Sequence, residues 1–221
     1  MDNYEKIKKL VSRYRLVAII RLDDLTHAAE ISQALLDGGV YLQEYTLSNP
    51  AALDAIRTVR KQLSVFDSEE AAIGLGSVRN LTEAEQALDC GAQFIVTPIT
   101  NTTVIARCRS ANIPIMPGAF TPTEIATAWD AGATFVKVFP ARNLGPSYIK
   151  DVLAPMPYLK LMPTGGIDLN NMPAYFSAGA AAVGIGGNII DAQAVANQDW
   201  ARLAAAAKMY ADCANATGAE R

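Results

Sequence analysis

A lysine stands inside an apolar segment, FVKVFP, at residues 135–140. β-Branched and aromatic neighbours predict a buried strand. Because side chains alternate between the two faces of a strand, Phe135, Lys137 and Phe139 share one face. Burial disfavours the ammonium form and lowers the pKa of a lysine, which leaves a neutral amine that can attack a carbonyl and form a Schiff base. A lysine that extends from the strand end to solvent is the structural alternative.

A glutamate is predicted to enter the same interior from another strand. Within residues 41–47, Glu44 shares a face with Leu42. The opposite strand parity would place Glu44 against an apolar helix layer, where an unpaired carboxylate is costly. The inward orientation is therefore favoured. Burial would raise the pKa of Glu44, which makes it a candidate general acid and base beside Lys137.

Two glycine pairs follow neighbouring predicted strands, in TGG at residues 164–166 and in GGN at residues 186–188. Glycine lets backbone amides approach a phosphate, and the loops after strands seven and eight of an eightfold barrel hold phosphate together with a short helix N-terminus. Either pair alone could form a simple turn. Together they predict a phosphate site. Arg21, at the end of the first strand, would lie beside it as a ligand for phosphate or carboxylate, unless it is a surface arginine.

The elements that would position these residues alternate regularly along the chain. Alternating strands and helices predict a parallel sheet with right-handed crossovers, and eight such units predict a single (β/α)8 TIM-barrel domain over residues 1–221. An extra N-terminal helix is predicted over residues 3–14. A doubly wound open sheet is the alternative, although no Gly-x-Gly-x-x-Gly follows the first strand. The predicted strands are residues 16–21, 41–47, 71–77, 93–98, 113–119, 134–140, 160–165 and 181–187. The predicted helices lie near residues 25–38, 50–63, 82–90, 101–111, 122–131, 146–154, 170–178 and 197–215.

Composition excludes several classes of function. A net charge of -3 gives no reason to expect nucleic acid or an anionic membrane as partner. The sequence lacks an apolar run of membrane-spanning length and a signal-peptide core. Three widely separated cysteines predict reduced thiols in the cytoplasm. With His27 as the only histidine, His-based triads and His-rich metal sites are excluded.

Five motifs resemble those of a known enzyme family. They are IGLGSV at 73–78, FIVTP at 94–98, IMPG at 115–118, FVKVFP at 135–140 and PTGGI at 163–167. With them the chain resembles the class I aldolases that cleave 2-keto-3-deoxy-6-phosphogluconate (KDPG), a group that includes the 6-phosphogalactonate and 4-hydroxy-2-oxoglutarate (KHG) aldolases. The resemblance implies a homotrimeric TIM barrel in which Lys137 forms a Schiff base with pyruvate or a 2-keto acid. It further implies that Glu44 is the general acid and base and that no metal or other cofactor is used.

The predicted site combines this resemblance with the residue patterns. Some family members carry an arginine where this chain has Ser48. A small polar residue followed shortly by a proline looks more like other branches of the family, including the phosphogalactonate aldolases. Ser77 replaces a usual threonine, and Asn188 stands where a phosphate-binding serine is common. The catalytic residues are predicted to be Lys137 and Glu44, and the substrate-binding residues Arg21, Ser48, Ser77, Pro98, Phe139, Thr164, Gly165, Gly166, Gly187 and Asn188.

The predicted reaction is the reversible cleavage of a KDPG-like 2-keto-3-deoxy-6-phospho sugar acid to pyruvate and glyceraldehyde 3-phosphate. The alternative substrates are 2-keto-3-deoxy-6-phosphogalactonate and 4-hydroxy-2-oxoglutarate. Two other functions stay open. One is a phosphate-binding isomerase or synthase in which Lys137 acts only through its charge. The other is a non-catalytic sensor of a sugar-acid phosphate.

Overall fold

Parallel strands alternate with helices along residues 2–216, the part of the chain that the computed structural model describes. The helices are α1 (Asn3–Tyr14), α2 (Ala28–Asp37), α3 (Ala52–Gln62), α4 (Leu81–Asp89), α5 (Thr102–Ser110), α6 (Pro122–Asp130), α7 (Gly145–Leu153), α8 (Met172–Ser177), α9 (Ala192–Ala196) and α10 (Trp200–Ala216). The strands are β1 (Leu16–Ile20), β2 (Leu42–Thr46), β3 (Ala72–Gly76), β4 (Ile95–Val96), β5 (Ile115–Met116), β6 (Gly118–Ala119), β7 (Val136–Val138), β8 (Leu161–Pro163) and β9 (Val183–Ile185). Short 3-10 helices cover Ser64–Asp67 and Ala141–Asn143.

The strands form two parallel sheets, with the orders β5-β4-β3-β2-β1-β9 and β6-β7-β8. The predicted fifth strand, residues 113–119, is divided between them. Pro117 stands at the division, and a proline cannot donate the hydrogen bond that would continue the ladder. At the other edge, a single bridge between Thr164 and Gly184 links the end of β8 to β9. The chain therefore has an α/β fold built on a parallel sheet.

Two apolar clusters distinguish the two faces of the strands. One packs the strands against the helices. The other, called the inner cluster here, lies on the opposite face of the strands and includes Ile7, Leu10 and Val11 of α1. Burial of each large aliphatic side chain contributes about 1.5–3 kcal/mol, so this contact holds α1 against the sheet. The inner cluster consists of Ile7, Leu10, Val11, Val17, Leu42, Ala72, Phe94, Val96, Met116, Phe135, Met162 and Ala182.

The predicted last helix, residues 197–215, is confirmed as α10, and a short helix that was not predicted, α9, precedes it. The Asp191 carboxylate accepts hydrogen bonds from the amides of Gln193 and Ala194, which begins α9. Gln198 then adopts a left-handed φ of 54° and separates α9 from α10. Within the described part of the chain, no helix is both long and apolar enough to span a membrane.

Candidate active site

A cleft of about 550 Å³ opens at the carboxyl ends of β1, β7, β8 and β9. This is the end of a parallel α/β sheet where ligands bind. A smaller cleft of about 390 Å³ lies on the other side of Phe139 and Pro140 and contains Pro98. A larger cavity of about 930 Å³ lies elsewhere, beside Phe135, and contains none of the predicted site residues. The structure brings these predicted residues to the 550 Å³ cleft: Arg21, Phe139, Thr164, Gly165, Gly166, Gly187 and Asn188.

Lys137 and Glu44 do not line this cleft. Lys137 is buried in β7, two residues before the cleft residue Phe139 and between Gly118 of β6 and Met162 of β8. Its Nζ lies 5.0 Å from the centroid of the Phe139 ring. Within residues 2–216, that amine makes no hydrogen bond or ion pair, whereas the ammonium of Lys6, also buried, donates to the carbonyl of Phe66. Burial lowers the pKa of Lys137, with Glu44 opposing the shift and the charge of Arg21 adding to it. Lys137 therefore has the environment of a nucleophilic amine.

Glu44 faces the same interior from β2, as the favoured strand parity predicts. Leu42, two residues earlier, belongs to the inner cluster, while Tyr45 points the other way and donates its hydroxyl to the carbonyl of Ala28 in α2. The Glu44 side chain is buried, and its Oε2 has no hydrogen-bond partner among the described residues. Burial raises the pKa of Glu44, against the lowering effects of Lys137 and Arg21. Glu44 therefore has the environment of a carboxyl group that exchanges protons.

Gly76 creates the space that Glu44 occupies. A Cβ at position 76 would lie only 1.7 Å from Oε1 of Glu44, so no larger residue fits without displacing the carboxylate. Sequence reasoning did not assign this role to Gly76. The available signal was a glycine inside a strand, which often marks the close approach of another group.

Replacing Gly76 with alanine is expected to lower kcat/KM about 100-fold, because a displacement of about 1 Å costs that much in a positioned site. Steady-state kinetics of the Gly76→Ala variant measure the effect. In a Glu44→Gln background the same substitution should cost little more, since neighbouring groups are not additive. Equal losses in both backgrounds would show that Gly76 does not act through Glu44.

Two glycine loops present unpaired amides to the cleft. Gly165 and Gly166 have φ values of 95° and 78°, a left-handed region that glycine readily adopts. Within residues 2–216, the backbone N–H groups of Gly165, Gly166, Gly187 and Asn188 donate to no protein acceptor. Such amides can bind an anion. A helix N-terminus is not part of this arrangement, because the turn after β9 ends before α9 begins at Ala192.

Side-chain amides hold the two loops in place. Asn188 Nδ2 donates to the carbonyl of Ile167 at 2.8 Å, which connects the loop after β9 to the loop after β8. Asn171 Nδ2 donates to the carbonyl of Gly166 at 2.9 Å. The Asn188 side chain, predicted as a donor to substrate, thus bonds to the protein and positions backbone amides.

Two guanidinium groups, of Arg21 and Arg142, line the cleft. No aspartate or glutamate among the described residues lines it with them. Sequence reasoning missed Arg142, which stands two residues after the FVKVFP segment. Positive charge without a facing carboxylate indicates an anionic ligand.

Ser48 and Ser77 lie outside both clefts. They follow the carboxyl ends of β2 and β3. These two strands pair through Thr46 and Gly76, so both serines lie near the strand that carries Glu44. The exposed Ser48 hydroxyl shares a 2.8 Å hydrogen bond with Thr46, and Ser77 has a left-handed φ of 64°. Within residues 2–216, no three His, Cys, Asp or Glu side chains form a group that could hold a metal ion.

Comparison with known proteins places this geometry among aldolases. Residues 7–206 match the model of the KDPG and KHG aldolase family. A 2-dehydro-3-deoxy-phosphogluconate aldolase of Treponema pallidum is 32% identical over 90% of this chain and 93% of that relative. The KHG/KDPG aldolase of Escherichia coli K12 is 31% identical over 85% of this chain and 86% of its own. A solved structure described as native KDPGal superposes with a TM-score of 0.82 at 29% identity, covering 91% of this chain and 95% of the other.

Proposed function

Because the chain belongs to the KDPG and KHG aldolase family, we propose that it reversibly cleaves a 2-keto-3-deoxy-6-phospho sugar acid to pyruvate and glyceraldehyde 3-phosphate. The observation that carries this proposal is Lys137. It is a buried amine without an acceptor among the described residues, and it shares its interior with the buried carboxyl of Glu44. The cationic cleft is lined by Phe139, whose ring lies beside Lys137, and by glycine amides, which suits a substrate that carries a phosphate.

The reaction begins with the neutral amine of Lys137, which attacks the C2 carbonyl to give a carbinolamine. The Glu44 carboxyl gives a proton to the departing hydroxyl as water leaves and the protonated imine forms. The Glu44 carboxylate then takes the proton of the C4 hydroxyl while the C3–C4 bond breaks. That electron pair moves into the imine as an enamine, and the aldehyde is released. Protonation at C3 and hydrolysis free pyruvate and the amine.

Two observations support a relay between Glu44 and Lys137. Within the described chain, no hydrogen bond or ion pair joins the carboxyl of Glu44 directly to Nζ of Lys137. Their charges nevertheless interact, since each alters the pKa of the other. This separation suits a hydroxyl group of the substrate, or a water molecule, that exchanges protons with the carboxyl.

Arg21 is expected to set part of the pH dependence. Only the neutral amine attacks, so the rate of enamine formation should rise as pH increases through the lowered pKa of Lys137. The Arg21 charge contributes to that lowering. In an Arg21→Gln variant the pKa of Lys137 should rise. The acid limb of the pH–rate profile, where the rate increases with pH, should then move to higher pH. The profile is measured by NMR from the exchange of the pyruvate methyl protons in deuterated water.

The matched control is Arg79→Gln, which removes an exposed arginine that pairs with Glu83 and lies outside the cleft. This variant should keep the acid limb at the position of the unaltered enzyme. An unchanged limb in Arg21→Gln would contradict the electrostatic role of Arg21. Weaker binding of pyruvate alone would alter the magnitude of the rate without moving the limb.

We further infer that the two sheets form one closed (β/α)8 barrel within a single domain of residues 1–221. Two features support closure. Pro117 connects β5 directly to β6, and the bridge between Thr164 and Gly184 connects β8 to β9. α1 would then be the extra N-terminal helix, packed through the inner cluster at one end of the barrel. Small-angle X-ray scattering compared with the profile of a closed barrel tests this architecture.

A cytoplasmic homotrimer is the proposed form of the enzyme. Leu81, Ile99 and Phe120 are large apolar side chains that remain exposed, at 43%, 52% and 39%. Apolar residues of this size support burial between subunits. Sedimentation equilibrium should give three times the chain mass. A monomer at assay concentration would contradict the trimer.

A coupled assay for pyruvate tests the proposed reaction. KDPG, its phosphogalactonate epimer and 4-hydroxy-2-oxoglutarate are supplied in turn, and pyruvate is detected with lactate dehydrogenase. At least one of the two phosphorylated substrates should be cleaved with a higher kcat/KM than 4-hydroxy-2-oxoglutarate. The ratio between the two epimers identifies the preferred C4 configuration. Absence of pyruvate from all three would contradict the proposed function.

A further inference from the structure

Arg142 is fixed at its backbone beside the cleft. It lies in the 3-10 helix that follows β7. The preceding residue, Ala141, is held from both sides. Its amide donates to the carbonyl of Thr164 at 2.8 Å, and its carbonyl accepts from the buried Tyr175 hydroxyl at 3.1 Å. The base of the Arg142 side chain is therefore tied to the strand end that carries Thr164.

The Arg142 side chain passes directly over Gly166. A Cβ at position 166 would lie 2.5 Å from Cβ of Arg142 and 3.4 Å from its Nε. Only a residue without a side chain allows this approach, and Gly166 also has a left-handed φ of 78°. The guanidinium is consequently brought to the same side of the cleft as the unpaired amides of Gly165 and Gly166.

Among the described residues Arg142 lacks a protein partner, unlike most of the arginines there. Arg57, Arg107 and Arg202, for example, each pair with a carboxylate. Within residues 2–216, the guanidinium of Arg142 makes no hydrogen bond, ion pair or ring contact. An unpaired guanidinium beside unpaired amides has the donor set that a phosphate group prefers.

The two arginines of the cleft serve different ends of it. Arg21 contributes to the pKa shifts of both Lys137 and Glu44, so its charge acts on the reacting end of the site. The Arg142 side chain instead lies against Gly166, four residues beyond Met162, which is the strand partner of Lys137. Arg142 is therefore at the end of the cleft remote from Lys137.

We propose that Arg142 is a specificity-determining residue that binds the terminal phosphate of the substrate and selects phosphorylated over unphosphorylated 2-keto-3-deoxy sugar acids. This inference rests on the proposed aldolase function. A planar guanidinium binds two phosphate oxygens at once, while the glycine amides bind the remaining oxygen. Arg21 is left to act at the reacting end.

Selectivity kinetics of Arg142→Gln test the assignment. kcat/KM is measured for 2-keto-3-deoxy-6-phosphogluconate and for 2-keto-3-deoxygluconate, which lacks the phosphate. The ratio of the two values should fall about 10- to 100-fold, the usual effect of losing a charge-assisted hydrogen bond. Arg142→Lys keeps the charge without the planar fork and should give an intermediate ratio. Arg57→Gln, which removes an exposed arginine of α3, should leave the ratio unchanged.

A pyruvate adduct separates failure of this proposal from failure of the proposed function. Pyruvate has no phosphate, so borohydride should trap it on Lys137 in Arg142→Gln as in the unaltered enzyme. An adduct in both proteins with an unchanged selectivity ratio would overturn the role of Arg142 alone. No adduct in the unaltered enzyme would overturn the aldolase function and this proposal together.

Discussion

Replacing Lys137 with methionine is expected to lower kcat/KM for aldol cleavage about 10⁴-fold or more, since the nucleophile of the covalent route is lost. Methionine is close in volume to lysine and suits a buried position next to Phe139 and Met162. The variant should therefore fold. Its melting temperature should not fall, because the substitution removes a buried amine that has no acceptor among the described residues.

Lys160→Met is the matched control for this prediction. Lys160 lies next to β8, and its Nζ is 5.8 Å from the ring of Phe135, at the opposite end of the strand from Phe139. This substitution should retain nearly full activity. If Lys137→Met cleaved the substrate at a rate near that of Lys160→Met, Lys137 would have only an electrostatic or structural role.

The second large effect is expected at Glu44. Glu44→Gln preserves the shape of the side chain and removes its ability to take or give a proton. kcat should fall about 10²- to 10⁴-fold, the usual contribution of a general acid and base. The fold should survive, because the replaced carboxyl is buried with Oε2 unpaired in the described chain.

The rate of borohydride labelling shows which step of the reaction the Glu44→Gln substitution slows. With pyruvate and borohydride, the Glu44→Gln variant should still label Lys137, although more slowly, because Glu44 assists carbinolamine loss without forming the covalent bond. Glu83→Gln is a suitable control, since Glu83 lies in α4 outside the cleft and pairs with Arg79, which precedes that helix. Unaltered cleavage and labelling rates in Glu44→Gln would show that another group transfers the protons.

The positions of Lys137 and Glu44 were predictable because strand alternation is a local property of the sequence. Phe135 and Leu42 identify the inner faces of β7 and β2, and both belong to the inner cluster. The inward side chains two residues later are Lys137 and Glu44. Burial of both was therefore predictable without long-range contacts. The glycine loops were predictable for a similar reason, since they follow two neighbouring strands.

The positions that sequence reasoning missed depend on contacts between distant segments. Gly76 matters because Glu44, 32 residues earlier, passes over it, and Arg142 matters because it crosses Gly166. Asn188 lines the cleft, but the contact of its side-chain Nδ2 with the carbonyl of Ile167 was not foreseen. The alternation of side chains along one strand does not predict contacts between segments that are distant in the sequence. The division of the fifth strand at Pro117 had a local signal, the missing proline donor, which the strand prediction did not use.

Borohydride trapping with pyruvate shows directly whether Lys137 forms the Schiff base. The protein is incubated with pyruvate and borohydride, digested with a protease and examined by mass spectrometry. We expect one stable reduced adduct, on Lys137, together with loss of cleavage activity in proportion to labelling. No adduct, an adduct on another lysine, or full activity after complete labelling of Lys137 would contradict this expectation.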